Sequence, residues 1–173
     1  MSLLELVPVS VKELKLLQKL SVQTFVETFG AQNTKADMQA YLNSQMSTSQ
    51  LKKELEHTHS DFYFAYHKDR LAGYLKLNFE SAQREMVGNG TVFEVERIYL
   101  LNDFQRQGLG KVLFEKALAL GIEKGYRKLW LGVWEHNTSA LAFYKKLGLT
   151  VFDKHTFVLG SDSQTDLLME LNL

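Results

Sequence analysis

Gln105-Arg106-Gln107-Gly108-Leu109-Gly110-Lys111 is the segment of this chain whose residue types best suit a charged ligand. Two glycines one residue apart let backbone approach an anion closely. Thr91 to Leu100, before it, reads as a strand, and Gly108 to Lys124 reads as an amphipathic helix closed by Gly125. A glycine-rich turn at such a junction points successive N–H groups into one concavity at the positive end of the helix dipole. Arg106 and Lys111 add positive charge. The chemistry fits a pyrophosphate. Two common phosphate signatures fail: a dinucleotide fingerprint wants a third glycine where Leu113 stands, and a Walker loop wants Ser or Thr where Val112 follows Lys111. Taken alone, the turn also reads as a tight bend with close packing, and its surroundings must decide.

Those surroundings are legible from periodicity. Leu3 to Val7 is a short apolar run with strand character, and Ser10 and Glu13 form a capping-box pattern. Leu14, Leu17, Leu20 and Phe25 follow at helical spacing, with Gly30 as the stop. Thr34 and Asp37 open a second helix through Met38, Tyr41 and Leu42, and a third runs through Leu51 and Leu55; Ser44 to Ser49 reads as a polar loop between them. From Asp61 the period changes. Phe62 to Tyr66 and Leu71 to Phe79 read as strands around a His67–Arg70 turn, with Tyr74, Lys76 and Asn78 interleaved in the second. Ser81 to Gly90 is a polar loop. Leu129 to Val133 is an apolar strand, Thr138 to Leu147 a helix ending at Gly148, and two last strands flank a Gly160–Ser163 turn.

Composition narrows the function classes. Lys plus Arg and Asp plus Glu both number 20, so the formal net charge is zero, which argues against a general nucleic-acid binder. Cysteine is absent, which removes disulfides, thiolate metal sites and a thiol acyl-enzyme. His57, His59 and Asp61 alternate, but nothing converges on them; they read as an exposed helix end, and no metal is expected. No apolar run approaches the roughly 18 residues of a membrane span, and the first residues lack the pattern of a signal peptide. A cytoplasmic protein of one domain, residues 1–173, is expected, with no membrane partner.

Downstream of the turn come Trp130-Leu131-Gly132-Val133-Trp134 and then Asn137 through Gly148, which includes Ala140, Phe143 and Tyr144. Here the sequence resembles the GNAT superfamily of acetyltransferases: Gln105, Gly108 and Gly110 match its Gln/Arg-x-x-Gly-x-Gly/Ala turn, and Asn137 to Gly148 match its Asn-x-x-Ala-x-x-Phe-Tyr-x-x-x-Gly segment. The resemblance implies an α/β (α+β) fold, with a mixed, mostly antiparallel central sheet of about seven strands and helices on both faces. It also implies acetyl-CoA as co-substrate and no metal. Thr24-Phe25, Thr28-Phe29-Gly30, Ala72-Gly73-Tyr74, Glu96-Arg97-Ile98-Tyr99-Leu100, Trp130 to Glu135 and Gln164-Thr165-Asp166-Leu167 look like the bacterial PaiA-type polyamine acetyltransferases. That likeness covers nearly the whole chain and implies spermidine and spermine as acceptors. The alternatives are a protein, peptide or other small amine, or a non-catalytic acyl-CoA-binding regulator. Neutral charge and the lack of a helix-turn-helix argue against direct DNA binding. A monomer or homodimer is expected.

The resemblance also distributes roles. The backbone of Ile98, Tyr99 and Leu100 would pair with the pantetheine arm, and Gln105, Arg106, Gln107, Gly108, Leu109, Gly110 and Lys111 would hold the pyrophosphate. Gln105 stands where arginine is commoner. Asn137 either bonds the pantetheine or caps its helix, and Lys146 joins the cofactor-binding set. Tyr144, which by spacing shares a buried helical face with Ala140 and Leu147, would lie beside the coenzyme sulfur as the acid. A lysine-like amine costs roughly 4 to 5 kcal/mol to deprotonate at neutral pH, so a base is useful. Glu96 is the candidate, against a reading as a strand carboxylate paired to Arg97; Glu94 is the fallback if no bulge separates the two. Arg97 stands where relatives often carry an acidic or neutral residue. Trp134 and Phe29 either line an amine pocket or belong to the core. Glu27, Glu94, Glu96 and Glu135 supply carboxylates near the expected cleft for a polycation.

Overall fold

The computed structural model describes residues 3–85, 87–88 and 90–173. The chain begins with β1 (Glu5–Pro8), then α1 (Leu14–Phe29), α2 (Lys35–Gln45) and α3 (Thr48–Glu56). The antiparallel strands β2 (Ser60–His67), β3 (Arg70–Asn78) and β4 (Val92–Leu100) follow, and then α4 (Leu109–Glu123), β5 (Lys128–Trp134), α5 (Thr138–Lys146), β6 (Thr150–Leu159) and β7 (Asp162–Asn172). The expected helix signals are met locally. Ser10 and Glu13 close a capping box ahead of α1, and the Thr34 hydroxyl accepts from the Asp37 amide at 3.1 Å to start α2. Gly30 does not stop the chain's winding outright; it opens a one-turn 3-10 helix, Gly30–Gln32.

One expected loop is corrected. Ser44 to Ser49 is mostly helix, because Ser44 bonds back to the Ala40 carbonyl and Ser47 caps α3 through the Gln50 amide. Met46, between the two helices, is buried. The Ser81–Gly90 loop starts with a 3-10 turn, Glu80–Ala82; Met86 and Asn89 in it lie outside the described residues.

The seven strands form one sheet in the order β1-β2-β3-β4-β5-β7-β6, antiparallel except for β4 with β5. Adjacent residues of β3 show how both faces are covered. Leu75 and Leu77 pack with Leu109, Leu113, Phe114 and Tyr144 of α4 and α5, whereas Tyr74 packs with Leu17 and Leu20 of α1. Successive strand residues point to opposite faces, so helices lie on both sides. Lys76 and Asn78, on the Tyr74 face, are consequently buried.

Two irregularities shape the centre of the sheet. The parallel pairing of β4 with β5 covers only Val92–Glu94 against Lys128–Trp130, after which the two strands continue apart. Between β3 and β4 the register slips: Leu77 faces Val95 but Lys76 faces Arg97, leaving Glu96 as an extra, bulged residue. Gly73 fixes the close approach of these strands, since a Cβ there would overlap the Tyr99 carbonyl oxygen. We expect Gly73→Ala to destabilise the fold by about 1–3 kcal/mol through overpacking, measured by urea unfolding. An unchanged midpoint would mean that β4 shifts freely.

Candidate active site

Where β4 and β5 part, a cleft of about 720 Å³ opens. Its walls include Val95, Glu96, Ile98, Tyr99 and Leu100 of β4, Leu131 to Trp134 of β5, the turn before α4, and Asn137 and Tyr144 of α5. Beyond Glu94 the β5-facing edge of β4 pairs with no strand among the described residues, so Ile98 and Tyr99 offer backbone there to an extended ligand, while the Leu100 carbonyl already accepts from Gln105 Nε2.

The turn before α4 has the geometry an anion needs. Gly108 caps α4 at φ 76°, a left-handed value that a glycine adopts without strain, and it contributes no capping side chain. The helix geometry therefore leaves the N–H groups of Leu109, Gly110 and Lys111 without an intrahelical acceptor. Arg106 also has positive φ, at 59°. The cleft-lining set includes Gln105, Arg106, Gly108, Gly110 and Lys111. Not every side chain faces the ligand. Gln105 Nε2 donates to the Leu100 carbonyl at 2.9 Å and Gln107 Nε2 to the Asp103 carbonyl at 2.8 Å, so both amides brace the turn from within. The Leu109 side chain is buried in the core and leaves only its backbone for binding. Lys111 is exposed beside Glu115, and Arg106 is the guanidinium of the set. A pyrophosphate fits this uncapped helix start. Gly108→Glu meets no steric bar at its Cβ but places a carboxylate and a strained φ in the cradle; coenzyme A affinity by calorimetry should fall more than tenfold.

Tyr144 is buried against Phe114 and Phe143, with ring centroids at 5.8 and 5.2 Å, and borders the cleft. Burial raises its phenol above the ordinary value, so the group stays protonated and acts as a donor. Asn137 caps α5, its Oδ1 accepting from the Ala140 amide at 3.2 Å, and it lines the cleft as well. Lys146 sits in the last turn of α5, exposed and outside the cleft wall. A charge there complements the helix C-terminus.

Glu96 reaches the cleft, but its carboxylate is heavily engaged. The bulge turns Glu96 and Arg97 toward α3 together, and four side chains close a ring of charges. Glu54 of α3 bridges Arg97, at 2.7 and 3.1 Å, and Lys76, at 3.1 Å. Glu96 pairs with Lys76 and, at 3.6 Å, with Arg97. Asn78 Nδ2 donates at 2.8 Å to both Glu96 and Glu94. Burial would raise the Glu96 carboxyl, but Arg97, Lys76 and Arg84 outweigh it and hold the group well below the usual range. The reading of Glu96 as the candidate base is thereby narrowed: its carboxylate is paired to Arg97 and Lys76, and these cations disfavour its protonation. Glu94 shares its face but is sealed, bonded to Asn78 and to Arg84 Nε at 2.5 Å, which removes it both as a fallback base and as a docking charge. Of the other expected carboxylates, Glu27 lines the cleft while accepting from the Asn102 amide at 2.9 Å, and Glu135 is exposed beside His136. Glu54, Lys76, Asn78 and Arg84 were not singled out by sequence pattern.

Phe29 and Trp134 do face the cleft, 6.2 Å apart edge to face. His57 and His59 stay near each other at the α3 end, and among the described residues no group of three or more acidic, His or Cys side chains could hold a metal. No described helix is long and apolar enough to cross a membrane.

Comparison with known proteins adds to this geometry. The profile of the acetyltransferase (GNAT) family matches residues 22–149. The chain is 46% identical over 167 residues to an uncharacterised N-acetyltransferase encoded in the pepI 3′ region of Lactobacillus delbrueckii subsp. lactis, covering 96% of this chain and 95% of that protein. It is 34% identical over 79 residues to the ribosomal protein bS18-alanine N-acetyltransferase of Escherichia coli K12, covering 42% of this chain and 53% of that one. Among solved structures, the PaiA N-acetyltransferase of Thermoplasma acidophilum in complex with coenzyme A superposes with a TM-score of 0.78 over 98% of this chain and 99% of that one, at 21% identity.

Proposed function

The chain belongs to the GNAT family and is an acetyl-CoA-dependent N-acetyltransferase, and from that footing we propose that it acetylates a primary amine of a linear polyamine such as spermidine or spermine. The observation that carries this is the cleft at the β4–β5 divergence, with Tyr144 in one wall and the ionised Glu96 in another. The whole-chain likeness to PaiA-type sequences supports the choice of acceptor. The protein works in the cytoplasm as one domain, a monomer or homodimer, without nucleic acid.

Acetyl-CoA, when bound, supplies a thioester that the amine attacks with loss of a thiolate. The N–H groups at the start of α4 and Arg106 would hold its pyrophosphate, and the free edge of β4 from Ile98 to Leu100 its pantetheine. Tyr144 donates a hydrogen bond where the sulfur departs. A buried phenol raised above its ordinary value does not surrender its proton to a thiol-like group of ordinary value about 8.5, so its contribution is the hydrogen bond itself. Glu96, held ionised by Lys76 and Arg97, would orient the water that takes the proton of the incoming ammonium. Cysteine is absent and no serine hydroxyl bonds to a histidine among the described residues, which favours direct transfer between the two bound substrates.

A second reading, acetylation of a peptide amine, is favoured by the segment shared with the bS18-alanine N-acetyltransferase. A coenzyme-release assay across spermidine, spermine, a simple alkylamine and a lysine peptide separates them. Spermidine and spermine should lead, with KM rising as salt is added. Equal rates for all four would remove the polyamine assignment and leave the acetyltransferase intact.

A further inference from the structure

Behind the cleft, between α1, α2 and the β6–β7 hairpin, lies a second cavity of about 70 Å³. It adjoins the cleft, for Phe29, Glu96, Tyr99, Gly132 and Trp134 line both. Gly132 lies where the two meet: a Cβ there would be in van der Waals contact with Asp166 Oδ2 at 3.4 Å and with Arg84 Nη2 at 3.5 Å. We propose that this cavity is a subsite for the far end of the acceptor, a short unbranched alkyl arm ending in a second ammonium group. The inference rests on the acetyltransferase reading and adds to it the residues that select the acceptor.

Three observations point to that chemistry. First, aromatic rings enclose the cavity in a connected run. Phe25 stacks on Tyr41 at 4.5 Å and touches Phe29 at 4.7 Å, Tyr41 meets Phe157 at 5.6 Å, and Phe29 meets Trp134 at 6.2 Å. Ring faces attract alkylammonium groups and accommodate methylenes. Burial pushes the Tyr41 phenol up to about 12, so this ring is neutral at working pH.

Second, the cations facing the cavity are already matched. Arg97 is held by Glu54 and Glu96, Arg84 by Glu94, and nearby Lys76 by Glu54 and Glu96. Among the described residues Asp166 is the lining carboxylate that no lysine or arginine holds in an ion pair. Its ion-pair partner is His155 Nε2 at a loose 3.4 Å, while the other nitrogen of that ring is bound to Glu85 at 2.6 Å. Three Lys and Arg cations and one imidazole, His155, thus face five carboxylates across this network. Burial raises the Asp166 carboxyl more than His155 and Arg84 lower it, as expected of an acid short of a cation. A ligand ammonium corrects the imbalance; a ligand carboxylate would worsen it.

Third, the size is selective. A cavity of about 70 Å³ suits the end of a slender chain better than a bulky group.

The test compares monoamines with α,ω-diamines from propane-1,3-diamine to hexane-1,6-diamine, in the wild type and in Asp166→Asn. In the wild type, the best diamine should exceed the monoamine of equal length in kcat/KM about tenfold or more. Asp166→Asn should raise the diamine KM about tenfold with kcat nearly constant, and leave the monoamine KM where it was. Phe157→Leu, at a lining ring that makes no ion pair itself, should give the same split more weakly and serves if Asp166→Asn does not fold. Equal losses on both amine types, or a wild type indifferent to the second amine, overturn the subsite. Calorimetry with spermidine as titrant reads it without turnover: weaker binding to Asp166→Asn supports the subsite, and equal binding overturns it. Absence of acetyl transfer to every amine, with spermidine still bound through Asp166, would instead overturn the acetyltransferase reading.

Discussion

Tyr144→Phe should lower turnover about a hundredfold or more while leaving coenzyme A affinity nearly unchanged. The ring is wedged between Phe114 and Phe143 and hardly exposed, so phenylalanine keeps the packing and deletes one oxygen. Among the described residues that oxygen makes no hydrogen bond to the protein, so its loss strands no internal partner. The effect therefore isolates the bond made as the thiolate forms, a kind of interaction whose removal typically costs about 2.7–4 kcal/mol. Steady-state kinetics beside calorimetry of coenzyme A is the measurement. If turnover is unaffected, Tyr144 is a core residue and solvent supplies the donor.

Lys76→Met should destabilise the protein by about 3–5 kcal/mol at neutral pH. Lys76 joins Glu54 to Glu96 inside the protein, and its removal leaves two nearly buried carboxylates to share Arg97. The pH dependence identifies the cause. The Glu96 carboxyl is depressed in the folded state below its ordinary value of 4.5, so the stability it contributes is fully present above that value. That contribution is lost as pH falls through the folded value. In the variant the depression is lessened, because Arg97 and Arg84 still act on the carboxyl but Lys76 does not. The gap between wild type and Lys76→Met should then be widest near neutrality and narrow steadily below the ordinary carboxylate range. Urea unfolding over a pH series measures it; a gap independent of pH would assign the loss to packing alone.

The parts that sequence made legible are those whose chemistry is local. A glycine-rich turn before a helix, the Asn137–Gly148 segment and the Ser10–Glu13 and Thr34 caps each act over a few residues, and each lies where pattern placed it. What escaped depended on packing between distant segments. Alternation in β3 puts Lys76 and Asn78 on one face, but only the docking of α1 and α3 makes that face interior. The bulge at Glu96 leaves no mark in the residue string, yet it brings two consecutive residues, Glu96 and Arg97, into one ring of charges with Glu54. Gln105 and Gln107 show the opposite limit. Their position in the phosphate motif was legible, whereas the inward folding of their amides follows from carbonyls that only the completed turn presents.

The three-residue pairing of β4 with β5 has a consequence for the protein before any ligand arrives. A strand with open backbone groups is ordinarily a template for unwanted self-association, and proteins protect such edges at the rim of a sheet. Here the open stretch lies mid-sheet, inside the cleft and flanked by β5, rather than along an outer edge. A guest laid along it completes the sheet from within, so the resting protein resembles a tongue-and-groove joint with the tongue supplied by metabolism. Its resistance to unfolding then tracks the supply of that guest, growing with the logarithm of its concentration once the gap is mostly filled.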